Sequence, residues 1–320
     1  MPHFTDQKNL KIYKIRGIKM LREANNYVKI DGILSEIDLK DDSFAKDGKT
    51  IEVIRGTLKV RVNAVISGED KVLEIPVQVF SPKLKKDGTP NPSYESMNKV
   101  RTDFISIAAC GSEEQADKIS LSGCKIQMNE FANKSGGITS YPRIAASFAS
   151  KQTGEIKHTA TFQTEFAVAA IENELDKDGI ETGRIKITGI LPGFGGRVDV
   201  VPFYAAGNVA DAIGQYWQVN DTVAARGSLN FTSTTKVETV QEGFGDPIEK
   251  RITTNVSELV ITGGSETPAE GETAFDLEEL QKALTERKAR LEDAKRKAEQ
   301  KTTTAPAQDA VASAKLNLGF

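Results

Sequence analysis

Residues Asp199–Asn230 have the sequence DVVPFYAAGNVADAIGQYWQVNDTVAARGSLN. The pattern predicts a strand over Val198–Tyr204 and a short helix over Val209–Tyr216. A turn signal follows at Asn220-Asp221, and a second strand is predicted to begin at Thr222. This part of the chain is therefore expected to run strand, helix, turn, strand.

The flanking segments extend this order on both sides. Arg184–Ile190 precedes the stretch and Arg251–Ile261 follows it, and both read as strands. The resulting order of strand, hairpin, helix, strand and strand is the one expected of a five-stranded Greek-key barrel, the OB-fold.

An internal repeat places a similar unit earlier in the chain. Asp117–Ile126 aligns with Asn220–Leu229, and a glycine occupies nearly the same place in both segments. Each copy continues with an aromatic residue (Phe131 or Phe231), a polar loop and a closing strand. The shared order favours two related barrels over one large mixed domain.

The predicted fold is mainly β, with two tandem OB-like five-stranded Greek-key barrels followed by a C-terminal α-helix and a disordered tail. The predicted limits are an N-terminal arm at 1–24, a first OB-like domain at 25–150 with a basic insertion at 81–101, a connector at 151–179, a second OB-like domain at 180–264, a linker at 265–274, a charged helix at 275–300 and the tail at 301–320. Three alternatives stay open. The insertion is an exposed basic loop or β-arm, or else a solvated insertion without a function. The connector is a shared strand or a short helix. The charged helix docks on a barrel, stays in solvent or forms a dimerising coil.

Composition sets the class of protein. The chain has 320 residues, 38% of them hydrophobic and 27% charged, which is typical of a soluble globular protein of about two domains. No apolar run approaches the ~18 residues of a membrane span, and the N-terminus lacks the apolar core of a signal peptide, so we expect a cytoplasmic protein without a membrane partner. Cys110 and Cys124 are too few for a disulfide framework and are predicted to be buried free thiols.

The motifs of common enzymes are missing from the sequence. There is no phosphate-binding G-x-x-x-x-G-K-[ST] motif, and His3 and His158, the only histidines, lie far apart. The Asp-Gly pairs are read as hairpin turns rather than calcium loops. We therefore predict a protein that is not an enzyme and that uses no cofactor and no metal, although a nuclease with scattered carboxylates stays open as an alternative.

Aromatic and basic residues alternate in the loops and outward strand positions that an OB-fold uses for binding. Every unpaired base presents a π-face that stacks on an aromatic ring, and each phosphate needs a nearby cation. A net charge of −3 argues against coating duplex nucleic acid through bulk charge but leaves a local basic groove possible. The predicted nucleic-acid-binding residues are Lys59, Arg61, Lys125, Phe131, Lys134, Tyr141, Arg143, Phe194, Arg197, Tyr204, Lys236, Phe244, Lys250 and Arg251.

Each of these assignments has a structural alternative. Phe131, Tyr141 and Phe244 could be core residues, although their polar, glycine-rich contexts favour binding as much. Lys59 and Arg61 point outward because Leu58, Val60 and Val62 are expected to face inward, so a solvated surface explains them equally well. Four other aromatic residues are predicted to be core, namely Phe148, Phe162, Phe203 and Trp217.

The tandem pattern, with the segments GRIKITGILPGFGGRVDVVPFY at 183–204 and NDTVAARGSLNF at 220–231, resembles bacteriophage single-stranded DNA-binding proteins of the OB-fold class. The resemblance is best over 180–262 and fainter over 25–150. It implies a protein that coats and protects single strands during phage DNA replication or recombination and recruits other replication or recombination proteins through its C-terminal region. The tail departs from the strongly acidic end of that class, since Lys301, Asp309 and Lys315 are its only charged residues, but it keeps a terminal aromatic in Phe320.

The sequence thus predicts a non-enzymatic, largely sequence-independent single-stranded DNA-binding protein. The alternative is a structural or assembly protein, such as a virion component, in which β-barrel modules mediate interactions and the helix oligomerises. Binding to RNA and assembly into a homo-oligomer both stay open, because RNA offers the same phosphates and base faces as DNA.

Overall fold

The computed structural model describes residues 21–66, 68–133, 136–240 and 248–303, with side chains left out of the description at 234–240, 248–253 and 301–303. This part of the chain is mainly β and ends in a long helix. Its strands are β1 Asn26–Lys46, β2 Lys49–Ile66, β3 Glu69–Pro82, β4 Lys118–Ala132, β5 Ile138–Ala146, β6 Phe148–Gln152, β7 Thr159–Leu175, β8 Glu181–Pro192, β9 Val198–Ala206, β10 Thr222–Val240 and β11 Ile248–Gly264. Its α-helices are α1 Pro92–Asp103, α2 Ile107–Cys110, α3 Gly207–Tyr216 and α4 Leu277–Thr303.

The strands form one eleven-stranded mixed sheet in the order β10-β11-β9-β8-β7-β1-β2-β3-β5-β4-β6. Two additional pairings, β1 with β4 and β10 with β7, connect the ends of two five-strand series. We call β1–β6 the first half and β7–β11 the second half. Antiparallel pairing of β1 with β7 joins the two halves.

The order predicted from Asp199–Asn230 is confirmed element by element. Strand β9, helix α3 and strand β10 follow one another as expected, with the turn at Asn220, which has a positive φ of 78°. Asparagine tolerates this left-handed conformation better than most residues. The helix lies between the third and fourth strands of the second half, and α1 and α2 occupy the same position in the first half.

Strand β7 resolves the open alternative at the predicted connector. This segment is a strand, and it pairs with β1, β8 and β10. Its side chains Phe162, Thr164 and Phe166 are all buried. The side chains at 161 and 163 are exposed, so the first part of β7 alternates as expected of a strand with one face on the core, and Phe166–Val168 is then buried without a break.

The predicted loop or β-arm at 81–101 is wrong over its second part, where helix α1 begins at Pro92. The Asn91 side chain caps this helix by accepting a hydrogen bond from the Ser93 amide at 3.2 Å. Proline is well suited to the first turn because its missing N–H has no partner there in any helix. Met97 and Val100 bury the inner face of the helix.

Most of the predicted core residues are buried. Leu58, Val60 and Val62 face inward, as do Phe162, Phe203 and Trp217. Phe148 contradicts its prediction, because it lies on the short strand β6 with 40% of its surface exposed.

Helix α4 docks on the sheet, which is one of the three alternatives left open for the charged helix. The Phe275 amide donates a hydrogen bond to Thr222 Oγ1 at 2.9 Å, and the Arg22 guanidinium lies 4.1 Å from the centre of the Phe275 ring. Further along, Arg287 forms an ion pair with Glu130 of β4. The helix therefore contacts both halves of the sheet. Its apolar contact cluster comprises Leu21, Ala167, Ile190, Val198, Phe275, Leu280 and Ala283.

The partly buried carboxyl of Asp199, beneath α4, gives a testable pH dependence. Burial raises the pKa of Asp199, and the charge of Glu130 adds to this, whereas a hydrogen bond from the Met128 amide and the charges of Arg287 and Arg290 oppose it. Because the folded-state pKa lies above the unfolded one, the contribution of this group to stability is fully present at low pH and is lost as the pH rises through the folded pKa. We expect Asp199→Asn, which keeps an acceptor for Met128, to raise the free energy of unfolding at pH 7.

Urea unfolding at a series of pH values measures this effect. The gain from Asp199→Asn should shrink as the pH falls through the raised pKa of the wild-type carboxyl, which then takes up its proton. A gain that is the same at every pH, or a loss at pH 7, would contradict the assignment.

The prediction of two buried thiols is confirmed for Cys124 and is wrong for Cys110. Cys124 is buried, and burial, assisted by the charge of Asp31, raises its pKa to about 12. Cys110 is partly exposed, with Sγ 3.2 Å from the Ser112 carbonyl oxygen. Because the thiolate is the reactive species, we expect iodoacetamide to modify Cys110 in the native protein and Cys124 only after unfolding. Equal rates of modification, followed by peptide mass spectrometry, would contradict this.

Candidate nucleic-acid interface

One surface of the first half collects most of the predicted binding residues that the structure describes. The outward side chains of β2, β3, β5 and β4 form it, and the register connects them across the sheet. Arg55 pairs with Phe80, and Ala145 pairs with both Gln78 and Lys125. We call this surface the outer face.

Phe131 and Tyr141 lie together at one end of the outer face. Phe131 is on β4 and Tyr141 is on β5, each with 43% of its surface exposed. Their ring centres are 6.3 Å apart in an edge-to-face arrangement. The Asn129 side chain donates a hydrogen bond to the Tyr141 hydroxyl at 2.6 Å, which orients the ring. The pair therefore presents two aromatic groups to solvent in a fixed geometry.

Arg143 follows Tyr141 on the same face of β5. Its Nη1 and Nη2 atoms lie 3.4 and 3.3 Å from the side-chain oxygens of Asn129 and Gln127. Within the described residues, its buried Nε has no hydrogen-bond partner and no carboxylate lies within ion-pair distance of the guanidinium. Arg143 thus keeps an unneutralised charge beside the aromatic pair.

Lys125 is the neighbouring cation on β4. It is exposed, and its Nζ is 3.9 Å from Glu23 Oε2, the outer limit of an ion pair. A surface pair at this distance contributes little free energy, so Lys125 remains available to another anion.

Lys59 and Arg61 point outward as predicted, but both already form ion pairs with acidic side chains. Lys59 pairs with Glu36, and Arg61 pairs with Glu74 at 2.6 Å and with Glu113. The hydrogen bond that Arg61 donates to Glu113, together with Glu74, raises the pKa of Arg61 above its ordinary value. A phosphate would have to displace these carboxylates. Arg143 and Lys125 are therefore available to a phosphate, whereas the two cations of β2, Lys59 and Arg61, are neutralised by carboxylates.

A second exposed aromatic pair was missed by the sequence analysis. Phe80 on β3 and Phe44 on β1 are both exposed, with ring centres 6.1 Å apart, and Arg55 is the register partner of Phe80. Alternation in β3 gives the missed signal, since Val77 and Val79 face inward and Phe80 must then face outward. The polar sequence around Phe44 carries no signal that its ring contacts the ring of Phe80.

The predicted residues of the second half are not brought together. Phe194 is 77% exposed in the connection between β8 and β9, and the amine of Lys86, from the first half, lies 5.8 Å from its ring centre. Arg197, at the start of β9, is exposed. Tyr204 is seven residues further along the strand, about 23 Å away at ~3.3 Å per residue.

Tyr204 is instead part of a local charged cluster. The Arg184 guanidinium lies 4.7 Å from the centre of its ring and pairs with Glu174 at 3.1 Å and with Glu258 at 3.3 Å. Burial raises the pKa of Tyr204, and the two glutamates add to this. With two carboxylates around one cation, this cluster has no excess positive charge for a phosphate.

Five predicted binding residues are not placed. Lys134 and Phe244 lie outside the described residues. Lys236, Lys250 and Arg251 are on β10 and β11, but their side chains are outside the description. For all five, the binding role remains a prediction.

Among the described residues, no group of three or more His, Cys, Asp or Glu side chains is placed to hold a metal ion. No helix in the same part of the chain is both long and apolar enough to cross a membrane.

The chain belongs to the YorF family, whose sequence profile matches residues 24–297. No curated protein matches it. Among solved structures it is similar to the wild-type single-stranded DNA binding protein from Thermus aquaticus, at 10% identity and a TM-score of 0.47, covering 78% of this chain and 96% of that one. It is also similar to a deletion mutant of the same Thermus aquaticus protein, at 11% identity and a TM-score of 0.46, covering 78% of this chain and 97% of that one.

Proposed function

We propose that this protein binds single-stranded DNA through the outer face of its first half and that it is not an enzyme. The observation that carries the proposal is the exposed pair of Phe131 and Tyr141 next to the unneutralised Arg143. Aromatic groups stack on unpaired bases of any sequence, and cations beside them hold the phosphates. Duplex DNA hides its base faces, so this arrangement selects single strands.

We further propose that each half is an OB-like barrel. In the first half the pairing order is β1-β2-β3-β5-β4 and back to β1, and in the second it is β7-β8-β9-β11-β10 and back to β7. This is the strand order of the OB-fold, with a helix between the third and fourth strands. An OB-fold binds ligands on its second and third strands and on the loops joining strands one to two and four to five.

The two exposed aromatic pairs of the first half support this assignment. Phe44 lies near the β1–β2 connection with Phe80 beside it on β3, and Phe131 and Tyr141 flank the β4–β5 connection. They occupy the two sides of the surface that an OB-fold uses. In this proposal the first unit spans 25–150, the second includes β7 with 180–264, and the arm and linker keep their predicted limits. The helix is α4, Leu277–Thr303, in place of the predicted 275–300.

The proposed biological role is to coat and protect single strands during DNA replication or recombination in a cytoplasm, the host's if the protein is phage-encoded. Recruitment of replication proteins by the C-terminal region and self-association along a strand belong to the same proposal. Stacking and phosphate contacts do not exclude RNA, because only contacts to the 2′-hydroxyl distinguish the two.

Fluorescence anisotropy of a labelled oligothymidine at several salt concentrations tests the function. We expect single strands to bind at least about a hundredfold more tightly than duplex of equal length, with a log-log salt slope of about −0.7 per phosphate contact. Equal binding of single strand, duplex and an unrelated polyanion would favour the assembly protein. Cleavage of the oligomer during incubation with magnesium or manganese would favour the nuclease.

A further inference from the structure

A cleft of about 870 Å³ lies where the two halves of the sheet meet. One row of paired residues forms its floor, since Lys29 of β1 pairs with Thr161 of β7, which in turn pairs with Ser228 of β10. Residues at the end of β2 and the start of β3 form the opposite wall, among them Asn63 and Lys71. Both halves therefore contribute to one cleft.

The cleft brings lysines and carboxylates together in equal number. Lys29, Lys71 and Lys157 line it, against one acidic residue of the lining, Asp70. Asp31 and Glu69 lie 3.4 and 3.5 Å from the lysine amines of Lys29 and Lys71. The Asp31 carboxylate is buried, but both separations exceed the ~2.7–2.9 Å of a charge-assisted hydrogen bond, so the two amines keep donors for a phosphate. Lys157 forms no ion pair with any carboxylate of the described residues.

Polar groups of the kind that bind phosphate oxygens lie between the lysines. The hydroxyls of Thr161 and Ser228 are on the floor, and His158 Nδ1 accepts a hydrogen bond from the Asn63 amide at 3.3 Å. That bond orients the imidazole and leaves Nε2 as its N–H donor. Exposed Val65 and Val72 add an apolar edge suited to a sugar or a base.

We propose that this cleft holds the phosphodiester backbone of a single strand as it passes from the first half to the second. The inference rests on the proposed function and extends it to a second contact area. Along β2 and β3, the outward pairs run from Arg55 with Phe80 to Asn63 with Val72, so the cleft lies at the end of the outer face. The eight residues from Arg55 to Asn63 span about 26 Å at ~3.3 Å per residue. A short oligomer occupies the aromatic pairs, and a longer one also reaches the cleft.

The test compares two oligothymidines, one of about 6 nucleotides, within the ~4–16 that a single OB-fold covers, and one of about 30 nucleotides, which exceeds that range. The variant is Lys29→Gln/Lys71→Gln/Lys157→Gln. The matched control removes three exposed lysines that are remote from the cleft, in Lys177→Gln/Lys282→Gln/Lys288→Gln. Both variants have the same net charge, and urea unfolding checks that both are folded.

For the cleft variant we expect unchanged binding of the short oligomer and weaker binding of the long one. Losing three phosphate contacts makes the slope of log affinity against log salt concentration shallower by about 2. At 0.1 M salt, a factor of ten below a 1 M reference, this is about a hundredfold loss of affinity. The control variant should bind the long oligomer like the wild type.

The outcomes separate the two proposals. If the wild type binds the short oligomer but the cleft variant matches the control on the long one, the cleft is not a DNA contact and the function stands. Wild-type protein that binds neither oligomer would overturn both.

Discussion

Replacing both aromatic groups of the exposed pair, in Phe131→Ala/Tyr141→Ala, is expected to reduce the affinity for oligothymidine by at least about 30-fold. Base stacking on an aromatic side chain contributes about 1 to 3 kcal/mol per base, so two lost stacks cost at least about 2 kcal/mol. Both rings are exposed and neither supports the core. The free energy of unfolding should therefore stay within about 0.5 kcal/mol of the wild-type value.

Two matched controls test the specificity of this result. Phe148 is also a partly exposed aromatic of the first half, but it lies on β6, and Phe148→Ala should leave the affinity unchanged. Arg143→Gln should lower the log-log salt slope by about 0.7, one phosphate contact. Arg61→Gln should leave the slope unchanged, because Glu74 and Glu113 already neutralise Arg61. An equal loss of affinity for Phe148→Ala and for the pair would contradict the assignment of the site.

The largest expected effect on stability is that of Phe203→Ala, about 3 to 5 kcal/mol. The Phe203 ring is fully buried and stacks on Phe166 with 4.5 Å between ring centres. The packing is tight, because a Cβ placed on Gly189 would come within 2.9 Å of the Phe203 ring. Removing the ring leaves a cavity that the surrounding strands cannot fill without moving.

Trp217, the chain's single tryptophan, provides the signal for this measurement. Its ring lies 5.8 Å from that of Phe166, so its fluorescence reports on the same core during urea unfolding. Phe194→Ala is the control, since Phe194 comes from the same part of the sequence but is exposed. A loss below about 1 kcal/mol for Phe203→Ala, or equal losses for both variants, would show that this core is not packed as described.

The order of elements was predictable where local signals agree. In the stretch around α3, the period of apolar residues, the turn residues and the glycines all indicate the same elements, and the structure has them there. For β7 the sequence left a strand and a short helix open, because the short apolar run in the middle of the segment fits both. Helix α1 was missed because Pro92, its first residue, is also a common turn residue and was interpreted as one.

The candidate site was predictable only in part, for an electrostatic reason. Alternation correctly placed Lys59 and Arg61 on the outside. Whether they are free to bind phosphate depends on Glu36, Glu74 and Glu113, which come from three separate segments of the chain. The pairing of Phe44 with Phe80 and the cleft between the halves likewise depend on long-range register, which no local pattern carries.

Photocrosslinking tests the central claim most directly. The full chain is irradiated with ultraviolet light in complex with an oligothymidine, digested, and analysed by peptide mass spectrometry. Stacked thymines should crosslink to Phe131 and Tyr141, with Phe80 as a further site on the outer face, and excess unlabelled single strand should suppress the crosslinks. Crosslinks found only in the second half, or only on peptides that lie outside the outer face, would contradict the claim that the first half binds the bases.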